Sequence, residues 1–305
     1  MKKILYIAVL MALVSGLKAQ QQITFTQSNE NRYMLNPAAA GYDESMPVFL
    51  GYKRMWTGMD DAPSYQFLSY QMKLSDNLGG VGGQIYNYTT GPINKAGLKL
   101  SYAYHLELGD EMFLSFGLSG SLYQYHLDKS KLKFENNEDN LYTLGSEKLI
   151  VPDADFGIYF YGKNYYAGLS SFQLFGRRVD LMNDELSNPQ VRHYHLHGGY
   201  LFEINDDFKL EPSALVKYVE SSFSQWDINV KTTYKDLVYL GVGYRSDFAF
   251  APQDVLVSLG VQQAKFKLGY AFDIAMSDIG SVSRGTHEIY LMYFLGKTDK
   301  SAYKW

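Results

Sequence analysis

From about residue 46 onward, hydrophobic and polar positions alternate along most of the chain. The clearest stretch is AGLKLSYAYHLEL. Ala96, Leu98, Leu100, Tyr102, Tyr104 and Leu106 fall on one set of positions; Gly97, Lys99, Ser101, Ala103, His105 and Glu107 fall on the other. Successive side chains of a strand point to opposite faces, so this segment has one apolar, aromatic face and one small or polar face. Met112, Leu114, Phe116 and Leu118 repeat the pattern against Ser115, Gly117 and Ser119, and Phe266, Leu268, Tyr270 and Phe272 repeat it against Lys267, Gly269 and Ala271. The periodicity predicts fourteen strands, at roughly 46–56, 64–74, 78–89, 95–108, 111–127, 153–162, 164–173, 191–204, 208–220, 224–234, 237–247, 254–262, 264–276 and 286–296.

The connections between these segments fall into two kinds. Ser75–Asn77, Gly109-Asp110, Gly162-Lys163, Asn205–Asp207, Tyr234–Asp236 and Gln262-Gln263 are short and turn-like. The alternate connections are longer: Thr57–Pro63, Thr90–Asn94, Asp128–Pro152, Gln173–Gln190, Ser221–Phe223, Phe248–Gln253 and Ser277–Gly285. Short turns at one end and longer loops at the other are the pattern of an outer-membrane barrel. No run after the N-terminal segment reaches the roughly 18 apolar residues of a spanning helix, so a membrane crossing here requires a closed sheet. The expected fold is therefore all-β: a transmembrane antiparallel up-and-down β-barrel of about 14 strands over 46–296. If Leu100 faces lipid and Lys99 the lumen, Leu100→Arg is costly and a charge swap at Lys99 is cheap.

Composition agrees. Aromatic residues make up 16% of the 305, with 27 Tyr and 18 Phe, and these favour half-buried pleated surfaces. The mean hydropathy of −0.23 is compatible with a barrel whose two faces average out. The start, MKKILYIAVLMALVSGLKAQ, has Lys2 and Lys3, an apolar run from Ile4 to Val14 and small residues up to Ala19. It reads as a signal peptide over 1–19. Its removal takes three lysines from a chain of net charge −4, so no basic footprint for nucleic acid remains. There is no cysteine, hence no disulfide framework. Residues 20–45 form a polar periplasmic leader and 297–305 a short periplasmic tail, placing both termini in the periplasm.

Candidate chemistry is sparse. His193, His195 and His197 sit on alternate positions of one segment and share the lumen-facing side. Neighbours on that face are about 6.6–7 Å apart, so two can approach one metal but three cannot, and the reading is a polar lumen wall. Gly79–Gly83 resembles a phosphate loop in composition alone; no helix follows, and it reads as a place where a strand bends or packs closely. Glu135–Asp139 lacks the glycine of a calcium loop and reads as a solvated loop. No spacing pairs a nucleophile with a base, so neither an enzyme nor a cofactor is expected. Barrels of eight strands are filled by their own side chains and those of 16–18 hold a channel. A fourteen-stranded lumen needs an occupant: the leader, the long loops or a partner.

Several short motifs occur in an order and spacing that resemble the PorP/SprF family of type IX secretion outer-membrane proteins. They are Tyr33–Ala38 closing at Gly41, Tyr52–Gly58, Ala62–Ser64 with Ser69, Asp155–Gly157, Tyr166–Ser170, His197 with Gly199-Tyr200, and Gly285–Ile289. The chain departs from the family pattern at Lys53, where Arg is usual, and at Met55, where Gln is usual. The resemblance implies a non-enzymatic barrel that supports secretion and surface attachment of a cargo or adhesin, including adhesins of gliding motility. It also implies a link to a periplasmic peptidoglycan-binding lipoprotein. On that basis the candidate partner-binding residues are Asn36, Pro37, Gly41, Lys53 and Trp56 of the motifs, with the loop cations Lys131, Lys133, Arg177 and Arg178. The long loops at 128–152 and 173–190 would hold the cargo's C-terminal domain, and the leader and tail would meet the periplasmic partner. The alternative functions are a passive diffusion channel of the porin or fatty-acid-transporter type and, more remotely, a lipid hydrolase.

Overall fold

Alternation of side chains along each segment commits the chain to strands, and those strands pair each with the next until the last meets the first. The computed structural model describes residues 25–74, 78–109, 111–131, 146–177, 179, 190–220 and 224–296. Among them lie β1 (Pro47–Arg54), β2 (Ser64–Lys73), β3 (Gly80–Thr90), β4 (Ile93–Gly109), β5 (Met112–Asp128), β6 (Ser146–Gly162) and β7 (Tyr165–Phe172). These are followed by β8 (His193–Tyr200, resuming at Phe202–Glu203), β9 (Phe208–Val219), β10 (Gln225–Tyr234), β11 (Val238–Asp247), β12 (Pro252–Gln263), β13 (Phe266–Ala275) and β14 (Thr286–Phe294). All neighbours are antiparallel, and β1 closes on β14 from Pro47 opposite Phe294 to Arg54 opposite His287. The interruption in β8 has a local cause. Between the pairs Gly199–Ser213 and Phe202–Leu210 stands Pro212, which has no N–H to give to the ladder.

The two faces are as the alternation requires. Leu98, Leu100, Tyr102, Tyr104 and Leu106 are exposed on the outside of β4, Leu100 at 61%, while Lys99, Ser101 and Ala103 are buried inside. With lipid outside, Leu100→Arg is expected to destabilise the barrel by roughly 2–4 kcal/mol. Urea unfolding in vesicles measures this, and an unchanged midpoint would mean that the outer face has been misassigned. Lys99 is a correction. It is buried and paired with Asp155 at 2.6 Å. Lys99→Glu would set two carboxylates together out of water, so the charge swap is costly rather than cheap.

Two connections also differ from expectation. β6 starts at Ser146 instead of 153, because Glu147–Val151 continue the alternation and pair with Leu127–Tyr123 of β5. The link between β3 and β4 is a two-residue turn, Gly91-Pro92, with Gly91 at a φ of +51° that suits glycine. β4, β5 and β6 each have 17 residues. About 9–11 suffice to cross a bilayer, so with their short turns level this sheet rises beyond the barrel at the long-loop end. The expected signal peptide, Lys133, Arg178, Glu135–Asp139 and the tail lie outside the described residues.

The leader, expected in the periplasm and named among the possible occupants of the lumen, folds inward. Over Phe25–Ser45 it makes three single 3-10 turns, Ser28–Glu30, Arg32–Met34 and Pro37–Ala39, and most of its residues are buried in the lumen. The need for an occupant is met by the chain itself.

Candidate functional site in the barrel lumen

The plug is held in two different ways. Its C-terminal half rests on bare backbone. Asn36 accepts from the Ala38 N–H through Oδ1 at 2.9 Å and caps a turn that begins with Pro37, whose missing N–H is no loss there. The same side chain donates through Nδ2 to the carbonyls of Ile158 at 2.8 Å and Leu169 at 3.3 Å. Ser170 donates to the Leu35 carbonyl, Ser115 to the Ala38 carbonyl at 2.7 Å, and His105 meets the Ala40 carbonyl at 2.9 Å.

This close approach is possible because the wall is stripped of side chains along one row. Gly80 stands opposite Ala103, Ala103 opposite Gly117, and Gly117 opposite Gly157, so four strands present a continuous small-residue belt to the lumen. A Cβ on Gly117 would collide with the Ala38 backbone, and one on Gly157 with the Asn36 carboxamide. Ala38, Ala39 and Ala40 are fully buried against this belt.

The N-terminal half is held by charge. Glu288 accepts from the N–H groups of Thr26 at 2.7 Å and Gln27 at 2.9 Å, and Asp273 accepts from the Thr26 hydroxyl. Glu30 pairs with Lys231 at 2.7 Å and with Lys267. Arg32 pairs with Glu211 at 3.1 Å while its guanidinium lies 3.6 Å from the centre of the Tyr166 ring. Behind these contacts the wall cations are themselves neutralised. Lys53 bridges Asp273 at 3.2 Å and Glu288 at 3.4 Å, and Arg245 binds Asp227 at 2.9 Å and Asp273 at 3.4 Å. A cavity of about 30 Å³ between Glu30, Lys231, Tyr239 and Ser258 leaves room for one water.

Glu30 is one of the carboxylates that give this half its pH dependence, beside Asp273 and Glu288. Burial pushes its carboxyl up, but Lys231 and Lys267, by charge and hydrogen bonds, more than offset that and bring it down to about 2. A depressed carboxyl stabilises above its ordinary value of 4.5, and that contribution is lost as pH falls from 4.5 through about 2. Acidification over that window is thus expected to loosen the N-terminal half of the plug, and Glu30→Gln to remove the part of the effect that Glu30 contributes. Protease protection of this segment against pH reads it; identical profiles for the two proteins would refute the assignment.

The three histidines lie on the lumen face as expected, all buried. His197 stacks on Tyr159 with ring centres 5.8 Å apart, and His195 sits 4.8 Å from Phe172. They pack the wall, and among the described residues no cluster of three or more His, Asp or Glu is arranged to hold a metal.

The candidate partner-binding residues separate into two groups. Asn36, Pro37, Gly41 and Lys53 are buried and engaged with the barrel's own interior. Trp56 is half-buried at the long-loop rim, its N–H donating to Thr286 Oγ1 at 3.2 Å, and Lys131 and Arg177 are exposed at that end. The motifs find their counterparts in one another. Leu35–Gly41 meets Gly157 and Leu169-Ser170, while Tyr52–Gly58 runs along Gly285–Ile289 at the closing seam. Sequence reasoning marked Gly80 as a place of close packing and Glu288 as part of a motif, but missed the rest of the belt, Asp273, and the part these residues play in holding the plug. Lumen-facing parity marked each position, but nothing local marked which strands stand level.

Comparison with known proteins bears on this architecture. The sequence model of one family, described as type IX secretion system membrane protein PorP/SprF, matches residues 17–293. No curated protein matches the chain. Among solved structures, the Ralstonia pickettii toluene transporter TbuX is similar with a TM-score of 0.51 at 9% identity, covering 85% of this chain and 92% of its own. The Pseudomonas putida toluene transporter TodX gives 0.49 at 9% identity, covering 87% and 93%. At such identities the likeness concerns the fold alone.

Proposed function

This chain belongs to the PorP/SprF family of type IX secretion system membrane proteins, and from that premise we propose that it supports secretion and surface attachment of an exported cargo or adhesin. In this reading the barrel sits in the outer membrane with its short turns in the periplasm. Its long-loop end receives the cargo's C-terminal domain, and its turn end is linked to a periplasmic peptidoglycan-binding lipoprotein. A role in gliding motility follows where the cargo is a motility adhesin.

The observation that carries the proposal is the filled lumen. A passive diffusion channel needs an open path, and Phe25–Ser45 occupies that path with contacts to the wall on nearly every side. The exposed ends are then the working surfaces. Family and fold point to a secretion or transport barrel rather than to an enzyme.

The test is replacement of residues 132–145 by a short glycine–serine linker, which spares Ser146 and the rest of β6. Cargo display at the cell surface is expected to be lost while the barrel keeps its heat-modifiable mobility on gels. Normal display from a correctly assembled variant would rule out cargo attachment through this loop. Deleting the whole gene without any effect on display would rule out the function itself.

A further inference from the structure

The outer wall changes character on one side. Seven to nine residues above the short turns, the outward positions of most strands are apolar, as at Leu100, Val216, Trp226, Val255 and Ile274. At the same height the four adjoining strands β14, β1, β2 and β3 carry His287, Arg54, Ser64, Gln66, Asn87 and Thr89. These share their parity with Ile289, Leu50, Leu68 and Ile85, all at least 40% exposed, so they stand on the outside. With a rise of about 3.3 Å per residue and a tilt of about 40°, the height is roughly 18–23 Å, at the upper margin of an apolar band about 25 Å tall.

Register gathers these polar side chains. Arg54 stands directly opposite His287 on one side and Ser64 on the other, and Ser64 stands opposite Thr89. Directly opposed side chains start about 5 Å apart, so Arg54 can share one small ligand with both of its neighbours. His287 Nδ1 meets the Tyr270 hydroxyl at 2.7 Å, and Asn94 donates to Thr89 at 3.0 Å. Among the described residues nothing bonds His287 Nε2, the Ser64 hydroxyl or the Arg54 guanidinium. The strands and long-end connections around them, 47–74, 78–90 and 266–294, all lie within the described residues. None of the four strands turns an acid outward; Asp60, Asp61 and Asp278 are exposed on the loops beyond the strand ends.

Acyl chains cannot satisfy a guanidinium, whereas an anionic headgroup at this height can. We propose that the outward sector centred on Arg54, His287 and Ser64 binds the anionic phosphate headgroup of a lipid in the leaflet at the long-loop end. The Arg54 fork takes two phosphate oxygens. Tyr270 donates to His287 Nδ1, which leaves the ring proton on Nε2 to donate to the headgroup beside the Ser64 hydroxyl. Directly below, Leu291, Leu50 and Leu68 stand level on three adjoining strands and give the acyl chains a continuous apolar bed. A cation above a leucine row, with no outward acid, matches the order of groups in such a lipid from headgroup to tail.

The experiment titrates the full-length barrel in a neutral detergent with short-chain phosphatidylglycerol or with phosphatidylcholine of the same chains, and counts bound lipid by native mass spectrometry. Inorganic phosphate is the competitor. Phosphatidylglycerol is expected to bind about fivefold more tightly than phosphatidylcholine and to resist an equal concentration of phosphate. Arg54→Gln should weaken it about fivefold, the effect of one cation beside an anionic headgroup. Arg54→Lys keeps the charge and should stay within about twofold of the wild type. His287→Phe keeps a ring and loses the donor, and should weaken binding about threefold. Arg54 has no partner within the barrel to lose, so these variants should fold, as heat-modifiable mobility on gels reads. Arg192→Gln, at an exposed arginine already paired with Glu220, should change nothing. Equal binding by wild type and Arg54→Gln overturns the proposal, and Arg54 then reaches past the lipid to water. A loss in Arg192→Gln as large as that in Arg54→Gln overturns it as well, since any surface cation would serve. Displacement by an equal concentration of inorganic phosphate would make the ligand a free anion and likewise overturn it. So would a lipid-free dimer that Arg54→Gln dissolves, because the occupant of this face would be a second copy.

Discussion

Deleting Phe25–Gly41 is expected to turn a sealed barrel into an ion-conducting one. The wall does not need the plug to stay closed, because every strand is paired on both sides within the sheet. What the plug supplies is volume. A lumen of this strand number lies between barrels filled by their own side chains and those that hold an aqueous channel. The wall here is stripped further by Gly80, Ala103, Gly117 and Gly157. With the plug gone, Glu288, Asp273, Lys231 and Lys267 would be hydrated by water entering the lumen, so the barrel should remain folded. Planar-bilayer recordings are expected to show little conductance for the intact protein and at least an order of magnitude more for the deletion. Gly117→Val offers a milder route, since its side chain must displace the Ala38 backbone. Intact protein that already conducts as well as the deletion would mean that the segment does not seal the barrel.

The second large effect is expected at Lys53. Its ammonium group lies between the Asp273 and Glu288 carboxylates, all three side chains being almost wholly buried. Lys53→Met leaves those two acids facing each other with only Arg245 close to one of them. Removing one partner of a buried ion pair typically costs about 3–5 kcal/mol, because the charge left behind has neither water nor counterion. The same two acids hold the N-terminal end of the plug through Thr26 and Gln27, so plug anchoring should weaken with the barrel. Lys53→Arg keeps the charge and should fold nearly as well as the wild type. Urea midpoints of the three proteins in vesicles decide it. A Lys53→Met protein as stable as the wild type would show that the carboxylates are relieved in some other way.

The candidate site was legible only in pieces. Lumen-facing positions can be assigned by parity, and so the histidines and Lys99 fall on the correct face. Their partners cannot, because Lys99 and Asp155, or Lys53 and Glu288, are far apart along the chain and meet only through strand register. Asn36–Gly41 reads only as part of a polar leader, one of several possible occupants of the lumen, because its composition is that of a loop. Its turns leave backbone carbonyls that need partners, and Ser115 and His105 supply them at Ala38 and Ala40, while the Asn36 side chain donates to the carbonyls of Ile158 and Leu169. The resemblance marked these same residues without saying that they touch.

Sequence alone determined the barrel: its class, its strand number, which side chains face outward, and where nearly every strand begins and ends. It did so because a period of two is a local property, visible in a few consecutive residues, and because an apolar outer face leaves a closed sheet as the way to satisfy the backbone in lipid. Tertiary structure decided what fills the lumen, which buried charges neutralise one another, and that β6 runs on along β5 to Ser146, well beyond its pairing with β7. Those outcomes depend on the stagger between strands many residues apart, and stagger is set by the closure of the whole cylinder rather than by any one segment of it.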